Sequence, residues 1–258
     1  MKNHDLRINR AVRLINELDA QLRNKSPFGY YVFTDISTGR RWTASKVDED
    51  YLAEIKGIIG DVISNLRSAL DLIYWEYVSP HVKNENERRK IQFPFRDNVE
   101  KLRNAIKSSH GHKVGNEFVD ALLSVRPYKT GGNKILHLMH ELNNAGKHRF
   151  PTPVSDYKTM KYEAIRKMIP DFPAIDSVTV SGCKTDVVWN VAKPSLLFIF
   201  LGNVTKNNPN IYERKLNWPV DLIIRVDDFE INSEVLTLLR EMLKQTQSAV
   251  EKISKAVS

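Results

Sequence analysis

The stretch from Asp48 to Tyr77 constrains the fold more than any other part of the chain. Leu52, Ile55, Ile59, Val62, Ile63, Leu66, Leu70, Ile73 and Tyr77 recur mostly at spacings of three and four. A step of 100° per residue gathers them into one narrow sector of a helix. Thirty residues at about 1.5 Å each make a rod about 45 Å long. An apolar stripe of that length needs other helices to cover it. The pattern therefore predicts a helical core, with this helix ending at Ser79-Pro80.

The flanking sequence supplies both partners for that helix and a second texture. Leu6, Ile8, Val12, Leu14, Ile15, Leu18 and Leu22 predict a helix over 5–23. After the breaker Ser26-Pro27-Phe28-Gly29, the runs YYVFTDIS and RRWTASKV flank Thr38-Gly39 and predict a β-hairpin. Lys83 to Lys90 reads as a charged loop and Ile91–Phe95 (IQFPF) as a short extended piece. Helices are expected over 99–108, 115–124 and 134–147. From Phe172 onward, SVTV, DVVWNV, SLLFIFLG and VDLIIRV are short apolar runs separated by Gly, Asn and Pro, the pattern of a small antiparallel sheet. Leu236, Leu239, Leu243, Val250 and Ile253 mark an amphipathic helix over 233–257. The expected architecture is α+β in a single domain, 1–258. It has a mainly helical core over about 48–150, an N-terminal hairpin, a β-containing part over about 172–228, and a last helix packed back on the core.

The formal charge is +8, and its placement matters more than its size. Between Lys83 and Lys167 there are 18 Lys and Arg against 9 Asp and Glu, so this region carries the whole excess. A localised basic region fits an anionic partner such as RNA, nucleotide or phosphoprotein; the plain alternative is a solvated surface. The charged N-terminal stretch has no apolar core, so no secretory signal is expected there. The apolar run Leu196–Gly202 is too short to cross a bilayer, so no membrane association is expected. The lone cysteine, Cys183, makes no internal disulfide and fits a reducing compartment, so a cytoplasmic location is expected.

Two clusters carry candidate chemistry. Arg67 and Asp71 stand four residues apart at the edge of the long stripe, where an ion pair can orient a functional group or close the rim of a core. On the helix ILHLMHELNNAGKHR, one face gathers His137, His140, Glu141, Asn144 and His148, and it runs into Lys147-His148-Arg149. His140-Glu141 begins a zincin-like pattern, but Asn144 stands where the second histidine belongs, so no metal site is expected. Lys147, His148 and Arg149 fit an anion or RNA-phosphate site, or cations favouring a helix C-terminus. The phosphate-binding loops, dinucleotide fingerprint and nucleophile elbow are absent, and no cofactor is expected.

Four pieces, GDVISNLRSALDLIYW (60–75), IQFPF (91–95), SVRPY (124–128) and LHLMHELNNAGKHRF (136–150), resemble in this order a family of uncharacterised bacterial proteins. In that family the long helix reads NLRSALDH and the later helix ends in DKHR. The former helix in turn resembles the R-x4–6-H motif of HEPN-type helical ribonucleases, in which arginine and histidine act on RNA at a dimer interface. That resemblance implies a role for Arg67 and a homodimer; with Asp71 one turn along and His148 standing in for the histidine from the neighbouring helix, the expected catalytic set is Arg67, Asp71 and His148, with RNA contacts by Lys147 and Arg149. Here the motif is broken: Leu72 stands at the histidine position and Gly146 where the family tends to have Asp. The implied function is an RNA-interacting, HEPN-like protein, a degenerate ribonuclease. The alternative is a protein-interaction module of a toxin–antitoxin or phage-defence pair without its own catalysis. A second match to the same spacing, Arg103 with His110, is what chance alone provides.

Overall fold

The computed structural model describes residues 2–148, 154–174, 177–181, 187–191, 203–217, 221–226 and 231–257. In chain order it runs α1 (Asn3–Asn24), β1 (Phe28–Asp35), β2 (Arg40–Val47), α2 (Glu49–Val78), α3 (Glu85–Arg88), α4 (Val99–Ser108), α5 (Asn116–Val125) and α6 (Lys134–His148). Then follow β3 (Val154–Lys161), α7 (Tyr162–Met168), β4 (Ser177–Ser181), β5 (Val188–Asn190), β6 (Asn203–Thr205), β7 (Asn208–Leu216), β8 (Asp221–Val226), β9 (Ile231–Glu234) and α8 (Val235–Lys255). The fold is α+β. It divides into two compact units: Met1–Leu22, Ile55–Pro153 and Val226–Ser258 form a helical unit, and Arg23–Glu54 with Val154–Arg225 form a sheet unit.

In the helical unit α2 is the central rod. Ile55, Ile59, Val62, Ile63, Leu66, Leu70 and Ile73 are essentially inaccessible to water. Each such side chain contributes about 1.5–3 kcal/mol relative to exposure. Tyr77, expected in the stripe, is only half-buried. Tyr74 lies inside in its place, with its ring 6.1 Å from Phe93 and 5.8 Å from Phe118. Helix α8 packs on α5 and α6. Asn98 caps α4 by accepting from the Lys101 N–H at 2.9 Å, and Glu234 caps α8 by accepting from Leu236 and Thr237. The charged stretch 83–90, expected to be loop, contains the single turn α3, capped by Asn84. Four residues are too few to show a period in sequence.

In the sheet unit five strands lie in the order β5-β2-β1-β7-β6. The N-terminal hairpin is thus the middle of a larger sheet, its partner β7 lying far along the chain. Phe28, Tyr30, Val32 and Thr34 alternate inward along β1. Gly39 turns the hairpin at φ +71°, and a Cβ there would lie 2.2 Å from the Val191 carbonyl oxygen, so both conformation and space require glycine. Separately, β3 pairs antiparallel with β4 and β8. Strand β3 and helix α7 were not legible in sequence. The expected strands at 186–191 and 196–202 are described only in part: β5 lies within the first, and Leu196–Gly202 and Cys183 are outside the described residues. Among those described, no helix is long and apolar enough to cross a membrane.

Candidate functional site

The best-organised polar cluster forms around Arg67 in the helical unit. The stripe of α2 carries this arginine inward, so that it is only 7% exposed, and a buried guanidinium needs partners for its donors. Two of its nitrogens are hydrogen-bonded and the third is ion-paired only, to groups on three elements. Nη1 lies 2.5 Å from Asp71 Oδ1, one turn along α2. Nη2 donates to the Phe93 carbonyl at 3.2 Å, and Nε donates to His140 Nδ1 on α6 at 3.3 Å. Asp71 Oδ1 also accepts the Phe93 N–H at 2.9 Å, so the Arg67–Asp71 pair reads both backbone groups of one residue. This clamps the extended piece 91–95 against α2.

Phe95 forms the floor. The His140 ring stacks on it at 4.5 Å and 3°, and the Arg67 guanidinium lies 4.8 Å from its centroid. Because Arg67 and His140 are hydrogen-bonded to each other, both must lie over the same face of that ring. An Nε–H can only donate, so His140 Nδ1 accepts and the imidazole proton sits on Nε2. That nitrogen lies 3.1 Å from the exposed side-chain amide of Asn144. The one lone pair of the neutral His140 ring, on Nδ1, is therefore taken by Arg67.

Above this cluster opens a cleft of about 440 Å³. Its charged lining is Arg67, Lys90 and Arg96 against Glu87, with His110 and His140 added. Lys90 and Arg96 are exposed, whereas His110 is half-buried and lies 3.4 Å from Glu87. His110 adopts a left-handed backbone (φ 65°), uncommon outside glycine, at the turn that follows α4. The loop 126–132 backs the wall: Arg96 N–H donates to the Pro127 carbonyl at 3.2 Å and Lys129 N–H to the Arg96 carbonyl at 3.1 Å. Gly132 permits this loop, since a Cβ there would lie 1.8 Å from the Tyr128 carbonyl oxygen.

The sequence-derived set is thus partly assembled. Arg67 and Asp71 meet, as their spacing implies. The histidine beside Arg67 is His140. His148 lies at the end of α6, about 12 Å further along the axis at about 1.5 Å per residue. The side chains of Lys147 and His148, and all of Arg149, lie outside the described residues. Sequence reasoning placed His140 on the polar face of α6 but did not pair it with Arg67; only the packing of α6 on α2 does that. Lys90 and Arg96 were counted in the basic region without being singled out.

The neighbouring His137 is buried, its ring 6.2 Å from that of His140 and its Nε2 3.6 Å from Glu141. Burial holds its pKa below the ordinary histidine value, partly offset by Glu141. Among the described residues no three His, Cys, Asp or Glu side chains converge in a way that could hold a metal ion. Compared with protein families, characterised proteins and solved structures, the chain has no match.

Proposed function

We propose that this is a cytoplasmic, HEPN-like protein that binds RNA through phosphates held in the cleft beside Arg67. The supporting observation is the cleft's charge: with Arg67 paired to Asp71, Lys90 and Arg96 outnumber the one lining carboxylate, Glu87, around a floor that fixes Arg67 in place. A guanidinium held on three sides is a preorganised donor whose charge Asp71 balances, and the exposed Lys90 and Arg96 supply the positive charge that can follow a phosphate chain. Cleavage is not expected. The Nδ1 lone pair of His140 is taken by Arg67 and its Nε2 carries the proton, so it offers no open nitrogen as base to an incoming hydroxyl. The reading is a binding protein that keeps the arginine of a ribonuclease-like helix without its proton shuttle.

The test is an end-labelled single-stranded RNA titrated with protein over a salt series, on native and denaturing gels. Binding should weaken steeply with salt through counterion release. The Lys90→Glu/Arg96→Glu double variant should lower the log–log salt slope by about 1.4, at roughly 0.7 for each phosphate no longer neutralised. The RNA should remain intact. Absence of a shift at low salt, or a double variant that binds as wild type, rejects the reading. Shortened RNA that persists in His140→Phe would place cleavage elsewhere.

A further inference from the structure

The outer face of the five-stranded sheet carries a second cluster that the cleft does not use. Residues paired directly across antiparallel strands share a face. Phe33 pairs with Trp42 on one side and Glu213 on the other, Tyr31 pairs with Lys215, and Trp42 with Val188. Tyr31, Phe33 and Trp42 therefore stand together on the face opposite Tyr30, Val32 and Thr34, and all three are partly exposed. Phe33 and Trp42 are stacked at 5.4 Å and 9°, and the Tyr31 ring follows at 6.4 Å. Val188 beside them is 53% exposed.

Cations interleave with these rings. Lys46 lies 4.5 Å over Tyr31 and is fixed by Glu213 at 2.8 Å. Arg40 lies 6.0 Å from the Trp42 ring. Lys215 shares the face, and Lys206 lines the cleft of about 600 Å³ between Phe33, Trp42 and the β6–β7 turn. That volume falls in the range of small-ligand sites, roughly 300–1,000 Å³. A face meant only for solvent needs no such row of aromatic rings. A face meant for an apolar partner would not be flanked by Arg40, Lys206 and Lys215. Aromatic rings with surrounding cations match a single strand of nucleic acid, whose bases stack and whose phosphates need positive charge.

We propose that this face is a base-stacking platform for single-stranded RNA, with Trp42 and Phe33 taking bases and Arg40, Lys206 and Lys215 taking the backbone. It rests on RNA being the ligand but not on the cleft beside Arg67.

The test measures fluorescence anisotropy of a labelled oligouridine of about twelve nucleotides, within the span of known single-strand sites. The full chain is titrated against it, against an abasic strand of equal length, and against inorganic polyphosphate. Wild type should bind the abasic strand roughly tenfold more weakly than oligouridine. Trp42→Ala should weaken oligouridine binding to a similar degree and leave polyphosphate binding unchanged, with Trp42→Phe recovering most of the loss. The abasic comparison needs no variant, so it decides even if Trp42→Ala fails to fold. Equal affinity of wild type for the two strands overturns the platform, as does equal loss of oligouridine and polyphosphate binding in Trp42→Ala. If Lys90→Glu/Arg96→Glu abolishes RNA binding while Trp42→Ala and Phe33→Ala do not alter it, the cleft stands and the platform falls. If the reverse holds, the platform stands and the cleft falls. No RNA binding by wild type overturns both.

Discussion

Each unit buries an arginine, and the two solve the same problem differently. Arg67 in the helical unit has its counter-ion four residues away on its own helix, and its other donors go to the Phe93 carbonyl and His140. Arg41 in the sheet unit is fully buried on β2, and its carboxylate partner is Asp171, 130 residues further along the chain. A third cation, Arg214, lies nearby and donates to the Met168 carbonyl. Burial, and then the charge of Arg41, hold Arg214 below the usual arginine range. The two carboxylates are alike, Asp71 and Asp171 each being about a third exposed, but Arg67 borders a cleft whereas the Arg41 side chain is wholly inaccessible. A buried arginine is thus a candidate site in one unit and a fold-holding ion pair in the other, and the difference lies in access and not in residue type.

The comparison predicts a graded set of losses. Removing one partner of a buried pair leaves an uncompensated charge, so Asp171→Ala should cost about 3–5 kcal/mol in urea unfolding of the full chain. A cost near zero would show that Arg41 does not depend on Asp171 and would erase the contrast. Asp71→Ala should cost less, about 2–3 kcal/mol, because the Arg67 left behind borders a cleft and keeps its bonds to Phe93 and His140, whereas Arg41 is left wholly inaccessible; the Phe93 N–H also loses its acceptor. Equal losses from the two variants would place the two arginines in the same electrostatic environment. His140→Phe should cost about 1 kcal/mol, since the ring can still stack on Phe95 while the Arg67 Nε–H loses one hydrogen bond.

The smallest effect is a pH dependence confined to the helical unit. The pKa of His137 is lowered in the folded chain, chiefly by burial, so the unfolded chain takes up its proton first. Its contribution is complete above the ordinary value of about 6.5 and is lost as pH falls toward the lowered folded value. Thermal melting followed between about pH 7.5 and pH 5.5 should show a falling Tm, with a shallower fall in His137→Gln. An unchanged slope in that variant would assign the acid sensitivity to other groups.

Much of the helical unit was legible in sequence because its elements are long and local. The α4 boundaries, 99–108, agree with expectation, and α2 begins and ends within one residue of the expected span. The Arg67–Asp71 pair was legible for the same reason: a spacing of four is a contact on any helix. His140 was assigned to a polar helix face, but which helix that face would meet is not written in a period. The sheet unit was legible only in pieces. Its hairpin was visible from the turn at Gly39, yet the pairing of β1 with β7 joins segments some 180 residues apart, as in Tyr31 with Lys215. Period-two alternation tells which residues share a face of one strand and nothing about the neighbouring strand.

What the sequence determined by itself is therefore what depends on neighbours a few residues away: the rods, the hairpin, the in-helix ion pair and the basic bias of the middle of the chain. Tertiary structure alone decided that Phe93, Phe95 and His140 surround Arg67, that Asp171 reaches Arg41, and that Tyr31, Phe33 and Trp42 share a face with Lys215. The physical reason is range. Helix geometry and turn chemistry act over one to four residues, whereas burying an arginine or completing a sheet recruits whichever partner the packed chain brings within about 3 Å.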